Sequence, residues 1–435
     1  MQKIIINHLG PIKHCKLNIN DFIICTGPQA AGKSTLAKSV FFFKNLRNIL
    51  YSQFMKQYLL SLGDNDDVLA LSIENRFYRE MRSNFLQIFG TTWHMDRAMS
   101  LEYYYAENTF IKMSLKSSMD IPNYIWIECS NDIQDFFCHL DALQKKQHEY
   151  REDWAVQIMH EIEHIFCEDT TVVYIPAGRS MITLLSSQLN YIYSFMNDTQ
   201  KRSLDYCTQS YLERILQLKQ FFTQNPGAMI NDAIMLTDTK LDIDLLREMA
   251  SLMRDILQGE YLYKDGEERL QVTKDQYVKV NFASSGQQEV VWILNVLFYY
   301  LLNNRKAYFI IEEPESHLFP QAQKLVTEFI SLARGKGRNQ IFITTHSPYI
   351  LGTINNLLYA DKISESVSPK KVASIIPQSR WLDFSTISAY FINKGIVASC
   401  LDKEFHSIEN EVIDGASDVI NEDYDKMVLL KEKSK

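Results

Sequence analysis

The chain has 435 residues, 46% of them hydrophobic and 23% charged, with a formal net charge of -8 at pH 7. That length and apolar fraction describe a globular protein with material for two or three domains, and they exclude a disordered or fibrous chain. The acidic balance argues against bulk electrostatic binding to nucleic acid, leaving room for a local basic patch.

The opening segment, Met1 to His8, lacks both a long apolar stretch and a small-residue cleavage site, so it does not read as a signal peptide. Lys3 to Asn7 and Lys16 to Asn18 are short strand candidates, and Phe22-Ile23-Ile24-Cys25-Thr26 is an apolar run ending at a glycine, as a buried strand should. Ser34 to Ile49 then predicts a helix, with Leu36, Ala37, Val40, Phe41 and Leu46 at helical spacing. Ala98 to Leu115 predicts a β-hairpin in which Leu101, Tyr103 and Tyr105 alternate on one arm. Asn131 to Phe166 is helical in pattern. Ten acidic and three basic residues between Asn131 and Thr170 turn much of that element toward water or a basic partner.

Val172 to Ile175 is a strand candidate leading into Pro176-Ala177-Gly178-Arg179. Arg179 to Phe222 predicts helix, and a further helix follows Asn225-Pro226-Gly227, with Leu245, Leu246, Met249, Leu252, Met253, Ile256 and Leu257 at three- and four-residue spacing. Glu260 to Phe282 reads as β structure turning at Lys264-Asp265-Gly266. Gln287 to Leu302 is a strongly apolar helix, Ala307 to Ile311 a central strand, Gln321 to Arg334 an amphipathic helix, and Gln340 to Thr344 another buried strand. Asp361 to Lys435 mixes short strands and helices. No run is long and apolar enough to span a membrane. The seven cysteines (Cys15, Cys25, Cys129, Cys138, Cys167, Cys207 and Cys400) are scattered without a CxxC pair, which reads as reduced thiols of a cytoplasmic protein.

The chemistry begins at Gly27-Pro28-Gln29-Ala30-Ala31-Gly32-Lys33-Ser34-Thr35, which fits GxxxxGK[ST] between a strand and a helix. Its glycines permit a tight turn whose backbone N–H groups face phosphate at the positive end of the helix. Lys33 would reach the β- and γ-phosphates of ATP, and the Ser34 hydroxyl would ligate Mg²⁺. Phe309-Ile310-Ile311-Glu312-Glu313-Pro314 has the form of a Walker B strand. Glu312 stands where an aspartate usually orients Mg²⁺, and Glu313 where a general base polarises the attacking water. By itself this segment also fits a solvated acidic turn.

Ala283-Ser284-Ser285-Gly286-Gln287-Gln288-Glu289 resembles the LSGGQ-type signature of ABC ATPases, with Ser285 in place of the first signature glycine; in isolation it is also a plain Ser-capped helix start. The resemblance implies that Ser284, Ser285, Gly286 and Gln287 bind the γ-phosphate held by an opposing subunit. His346, directly after the buried strand Ile341 to Thr345, occupies the family's switch-histidine position. Gln87 is the candidate Q-loop residue at the metal, with a helix-surface glutamine as the alternative. His160-Glu161-Ile162-Glu163-His164 fits HExxH, but Glu163 charges the motif interior and no third ligand presents itself, so a solvated helix face is the expectation.

Glu312-Glu313-Pro314-Glu315-Ser316-His317-Leu318-Phe319-Pro320 and Thr344-Thr345-His346-Ser347-Pro348-Tyr349 resemble the bacterial ABC-type "AAA family" ATPases, relatives of the RecF, SMC and OLD proteins. With Ile175-Pro176-Ala177-Gly178-Arg179-Ser180, the likeness narrows to anti-phage defence ATPases such as PtuA of Septu and retron systems and AriA of PARIS. The resemblance implies an α/β, ABC-type P-loop ATPase head that binds ATP and Mg²⁺. It implies a head-to-tail pair of chains sandwiching two nucleotides, and a separate nuclease of HNH or TOPRIM type under its control, with nucleic acid engaged through the complex. A RecF-like ATPase that binds DNA itself, and a nucleotide-binding scaffold with little turnover, stand as alternatives.

On this reading, residues 1–118 form an N-terminal lobe, 119–257 a mainly helical insert, 258–360 a C-terminal lobe, and 361–435 a small α/β tail.

Overall fold

A computed structural model describes residues 1–61, 72–117, 123–145, 154–184, 195–197, 205–236, 241–409, 421–422 and 425–427. Strands β1 (Lys3–Leu9), β2 (Ile12–Asn18) and β3 (Phe22–Thr26) lead into helix α1 (Lys33–Ser61), followed by α2 (Ile73–Phe89), β4 (Ser100–Tyr104), β5 (Phe110–Lys116) and β6 (Tyr124–Cys129). Then come α3 (Asn131–Lys145), α4 (Trp154–Ile165), β7 (Thr171–Ile175), α5 (Arg179–Leu184), α6 (Tyr206–Leu218), α7 (Pro226–Leu236) and α8 (Ile243–Leu257). A small sheet of β8 (Glu260–Lys264), β9 (Glu267–Gln271) and β10 (Tyr277–Lys279) precedes α9 (Ser285–Leu302), β11 (Ala307–Glu312), α10 (Pro320–Leu332), β12 (Gln340–Thr345) and α11 (Pro348–Ile363). The last described elements include α12 (Pro369–Ala373), β13 (Ile387–Asn393) and β14 (Ile396–Ser399).

One sheet of eleven strands, in the order β6-β5-β4-β1-β2-β14-β13-β3-β12-β11-β7, organises the chain. Its two halves differ in chemistry. β13, β3, β12, β11 and β7 are parallel, and their cores are continuous apolar runs such as Phe22-Ile23-Ile24-Cys25 and Ile341-Phe342-Ile343. Such runs belong in a sheet covered on both faces. Phe22 and Ile24 join the cluster under α6 to α11, while Ile23 and Cys25 join the one under α1 to α4. The other half, β6-β5-β4-β1-β2, is antiparallel and alternates buried with exposed positions, so only one face packs on helices.

The structure redraws the expected boundaries. The division at residue 118 separates paired strands, because β6 runs antiparallel to β5 from Lys116↔Tyr124 to Ile111↔Cys129. Its alternation, which buries Ile125, Ile127 and Cys129, is a strand signal inside the supposed helical insert. β7 likewise leaves residues 119–257 to pair with β11. The tail is corrected most: β13 inserts beside β3 at the middle of the sheet, and β14 makes the link to β2 through Ile396↔His14. Smaller differences have local causes. α1 continues past Ile49 to Ser61, as no glycine or proline interrupts it and Leu50 and Phe54 are buried. The segment after Pro226 forms two helices, α7 and α8. Of the helix expected over Arg179 to Phe222, α5 and α6 are seen, and residues 185–194 and 198–204 lie outside those described.

The turn between β13 and β14 docks against the turn between β1 and β2. The Gly395 carbonyl accepts from Lys13 N at 2.8 Å, Gly395 has φ +83°, and a Cβ there would lie 2.5 Å from the Pro11 carbonyl oxygen. Gly395→Ala is therefore expected to lower the unfolding free energy by about 1–3 kcal/mol, as overpacking does. Urea denaturation measures it, and an unchanged midpoint would contradict this contact.

Candidate active site

Four chain segments meet at the carboxyl ends of the parallel strands, where open α/β sheets place their ligands. The loop from Gly27 to Gly32 leaves β3 and turns into α1. It requires positive φ at Gly27 (+147°), Ala30 (+60°) and Gly32 (+114°). Gly27 has no room for a side chain, since a Cβ would lie 2.2 Å from the Ile392 carbonyl oxygen of β13. Lys33, nearly buried, folds over this loop and donates to the carbonyls of Gly27 (2.8 Å) and Pro28 (2.9 Å). Burial pushes the Lys33 ammonium down from its ordinary range, while the carboxylates of Glu313 and Glu315 act to raise it. Ser34 sits exposed in the first turn of α1, and Gln29 is exposed on the loop.

β11 delivers Glu312 and Glu313 in different ways. Glu312 is buried; its Oε2 accepts from Ala177 N at 3.1 Å, and its Oε1 has no hydrogen-bond partner among the described residues. Burial, and next the Glu312 carboxylate beside it, push the Tyr174 phenol well up. The unpartnered Glu312 oxygen and the Ser34 hydroxyl are hard donors of the kind Mg²⁺ takes, so the residues fit that ion. The longer glutamate arm spends one oxygen on the backbone and keeps the other. Glu313 leaves the strand at φ +41°, and its Oε1 lies 3.4 Å from His346 Nδ1.

His346 follows β12 and is half-exposed. Its backbone N–H donates to Glu315 Oε1 at 2.9 Å, its Nδ1 lies 3.4 Å from the same oxygen, and the Thr345 hydroxyl donates there too at 2.7 Å. Glu315 is buried, and its Oε2 has no hydrogen-bond partner among the described residues. Two carboxylates thus bracket one imidazole.

Ser284 and Gln287 form a capping box at the start of α9. The Ser284 hydroxyl accepts from Gln287 N (3.3 Å) while Gln287 Oε1 accepts from Ser284 N (3.0 Å). Ser284 and Ser285 are exposed. Gly286 lies against the turn after Pro314, where a Cβ would come 2.8 Å from the His317 carbonyl oxygen. The structure therefore brings Lys33, Glu313 and His346 together, and it sets Ser284–Gln287 on other neighbours, namely Leu257 and the His317–Leu318 turn. Gln87 occupies the last turn of α2, a helix packed on α1, α3 and α6, whereas Ala177 and Tyr174 meet Glu312.

Three residues in the motif segments act here without a local sequence signal for their partners. Arg179 is sealed from solvent. It donates to the carbonyls of Pro176 (2.6 Å), Glu289 (3.0 Å), Glu312 (2.5 Å) and Glu313 (2.9 Å), and it pairs with the Glu289 carboxylate at 3.3 Å. Glu289 and Glu315 are the others. A signal was present for Glu289, which carries the one charge in the apolar stretch from Ser285 to Leu302. HExxH lies on α4 with His160 and His164 exposed; Glu161 meets His139 (3.2 Å) and Gln157, and His160 meets Glu163 (3.1 Å).

Residues 1–351 match a family model described as an AAA ATPase domain. No curated protein matches the chain. Solved structures similar to it include the Smc head domain from Pyrococcus furiosus bound to the C-terminal domain of ScpA, at 10% identity, with 100% of each chain covered and a TM-score of 0.40. The SMC head domain from Thermotoga maritima shares 10% identity over 91% of this chain and 97% of that one, with a TM-score of 0.36. An ATP-binding cassette bound to ADP and Pi shares 11% over 92% and 98%, with a TM-score of 0.30. Likenesses this distant carry no detail over to this chain.

Removing the Glu315 carboxylate strands two donors, Thr345 Oγ1 and His346 N. Glu315→Ala is expected to cost about 2–3 kcal/mol of stability and Glu315→Gln about 1 kcal/mol or less, because the amide keeps an acceptor oxygen. Urea denaturation of the two variants would show equal losses if Glu315 held nothing.

Proposed function

The chain belongs to the AAA ATPase domain family, and we propose that it is an ABC-type ATPase that hydrolyses ATP between two head-to-tail copies and, through that closure, controls a separate nuclease in anti-phage defence. One observation carries the pairing. The signature Ser284–Gln287, with Ser284 and Ser285 exposed, is built on the Leu257 and His317–Leu318 side of the chain, while the phosphate loop rests on Ile12 and Ile392. Each is half of a phosphate site that a second copy would complete.

Within one copy, the backbone N–H groups of Gly27 to Thr35 and the start of α1 receive the phosphates. Lys33 moves from its own loop carbonyls to phosphate oxygens. Ser34 and Glu312 would hold Mg²⁺, which neutralises phosphate charge when bound. Glu313 accepts the proton of the attacking water, and His346, aligned by Glu313 and Glu315, donates toward the γ-phosphate. The signature helix of the second copy adds N–H donors where negative charge grows.

The resemblance of the Glu312–Pro320 and Thr344–Tyr349 segments to PtuA and AriA supports an HNH or TOPRIM-type nuclease as the controlled partner. A second reading, a repair-type ATPase that binds DNA itself, draws on the open face of the antiparallel strands. There Lys3 lies over Tyr104 and Lys116 over Trp126, each at 4.0 Å; Lys16 of β2 and Lys112 of β5, the latter paired with Glu102 at 2.9 Å, share that face. ATP-dependent DNA affinity that falls steeply with salt would select it.

Glu313→Gln keeps the fold of the strand end and removes the base. The variant is expected to bind ATP, to release phosphate about 10²-fold more slowly, and to run as a dimer with ATP in light scattering. A variant that stays monomeric at saturating ATP and releases phosphate at the wild-type rate sinks the proposal.

A further inference from the structure

We propose that Arg179 is the positioning residue for Glu313, and that the Arg179–Glu289 pair ties the aim of this base to the signature helix of the same chain; the inference rests on the ATPase reading. Glu313 adopts φ +41°, a region that a side-chain-bearing residue enters only when its surroundings hold it. Its peptide groups are held from three directions, one of them within the turn itself, where the Ser316 N–H donates to the Glu313 carbonyl at 3.1 Å. The Glu313 N–H donates to the Thr344 carbonyl at 2.9 Å, and its carbonyl accepts from Arg179 Nη2 at 2.9 Å. The same guanidinium grips the preceding carbonyl, that of Glu312, through Nη1. The turn that aims the Glu313 carboxylate at His346 is thus clamped from the β12 side by backbone and from the β7 side by one arginine.

The other edge of the guanidinium faces α9. Its Nε donates to the Glu289 carbonyl, and the Glu289 carboxylate accepts from the backbone N–H of both Arg179 and Ser180, at 3.1 and 3.0 Å. Glu289 lies two residues beyond Gln287 in the helix whose first turn is the signature. A shift of that turn along α9 therefore moves the guanidinium, and with it the Glu312 and Glu313 carbonyls. Lysine cannot substitute: an ammonium is a point charge, whereas these acceptors lie in the directions of a planar fork.

A staple that only held the fold together would lose stability, ATP binding and turnover in step. A positioning residue loses turnover with binding kept. Arg179→Lys and Glu289→Gln, each keeping its residue's size, are compared with the wild-type chain for phosphate release, binding of a fluorescent ATP analogue and melting temperature. The expectation is a kcat about 10- to 100-fold lower in Arg179→Lys, a smaller drop in Glu289→Gln, and a dissociation constant within about 3-fold of wild type for both. The double variant should lose little more than Arg179→Lys alone, since the two act as one unit. Wild-type kcat in Arg179→Lys would overturn the inference and leave the ATPase reading standing. Equal losses of binding, melting temperature and kcat in both variants would also overturn it, marking a fold staple. A wild-type chain that hydrolyses no ATP overturns both.

Discussion

A guanidinium sealed from water at the carboxyl ends of parallel strands must find acceptors inside the protein, because an unpaired buried charge costs several kcal/mol. Arg179 finds them on the exit of β7, on the second turn of α9 and on the last residues of the β11 strand end. The ladders of the sheet set the distances between these segments, and Arg179 sets how their ends lie. Glu289 supplies the countercharge and leaves the pair with no net charge to solvate. Fully satisfied buried networks of this kind are rigid, and here the rigidity surrounds the carboxylates of Glu312, Glu313 and Glu315.

The sheet is built from two solutions to the same burial problem. In the parallel half, helices cover both faces, so the strands read as uninterrupted apolar runs and their ends are free to carry polar loops. In the antiparallel half one face is wet, and the strands alternate. The two halves meet at β13 and β14, drawn from the far end of the chain. β13 also closes the back of the phosphate loop, where the Ile392 carbonyl leaves no room for a Cβ on Gly27. A segment with no nucleotide motif of its own thus supports the nucleotide-binding turn.

Charge at the site is distributed by burial. Glu312 and Glu315 are buried, each with one oxygen committed and one without a hydrogen-bond partner among the described residues, while Glu313 and His346 reach solvent. The buried pair is held in place by backbone and hydroxyl donors, and the half-exposed pair faces the cleft where chemistry would occur. The HExxH pentapeptide shows the contrast. It has spacing on a helix, but its histidines are exposed and its side chains do not converge, since Glu161 turns to His139 and His160 to Glu163.

Local sequence was enough for the phosphate loop, for Glu312 and Glu313 after an apolar strand, for His346 after another, and for Ser284 at a helix start. Each of these depends on a few neighbouring residues: glycines that tolerate positive φ, apolar runs that bury a strand, a hydroxyl that caps a helix. Pairing depends on partners far along the chain, and there local pattern was silent. Nothing near Ile387 says that β13 lies against Phe22 to Thr26, and nothing near Arg179 says that its acceptors include Glu289, Glu312 and Glu313, 110 to 134 residues away. The sequence by itself determined which residues are candidates for phosphate and proton chemistry. Only the tertiary structure decided which strands join the halves of the sheet and which buried arginine grips the turn at Glu313, because those choices are made by long-range hydrogen bonding and burial.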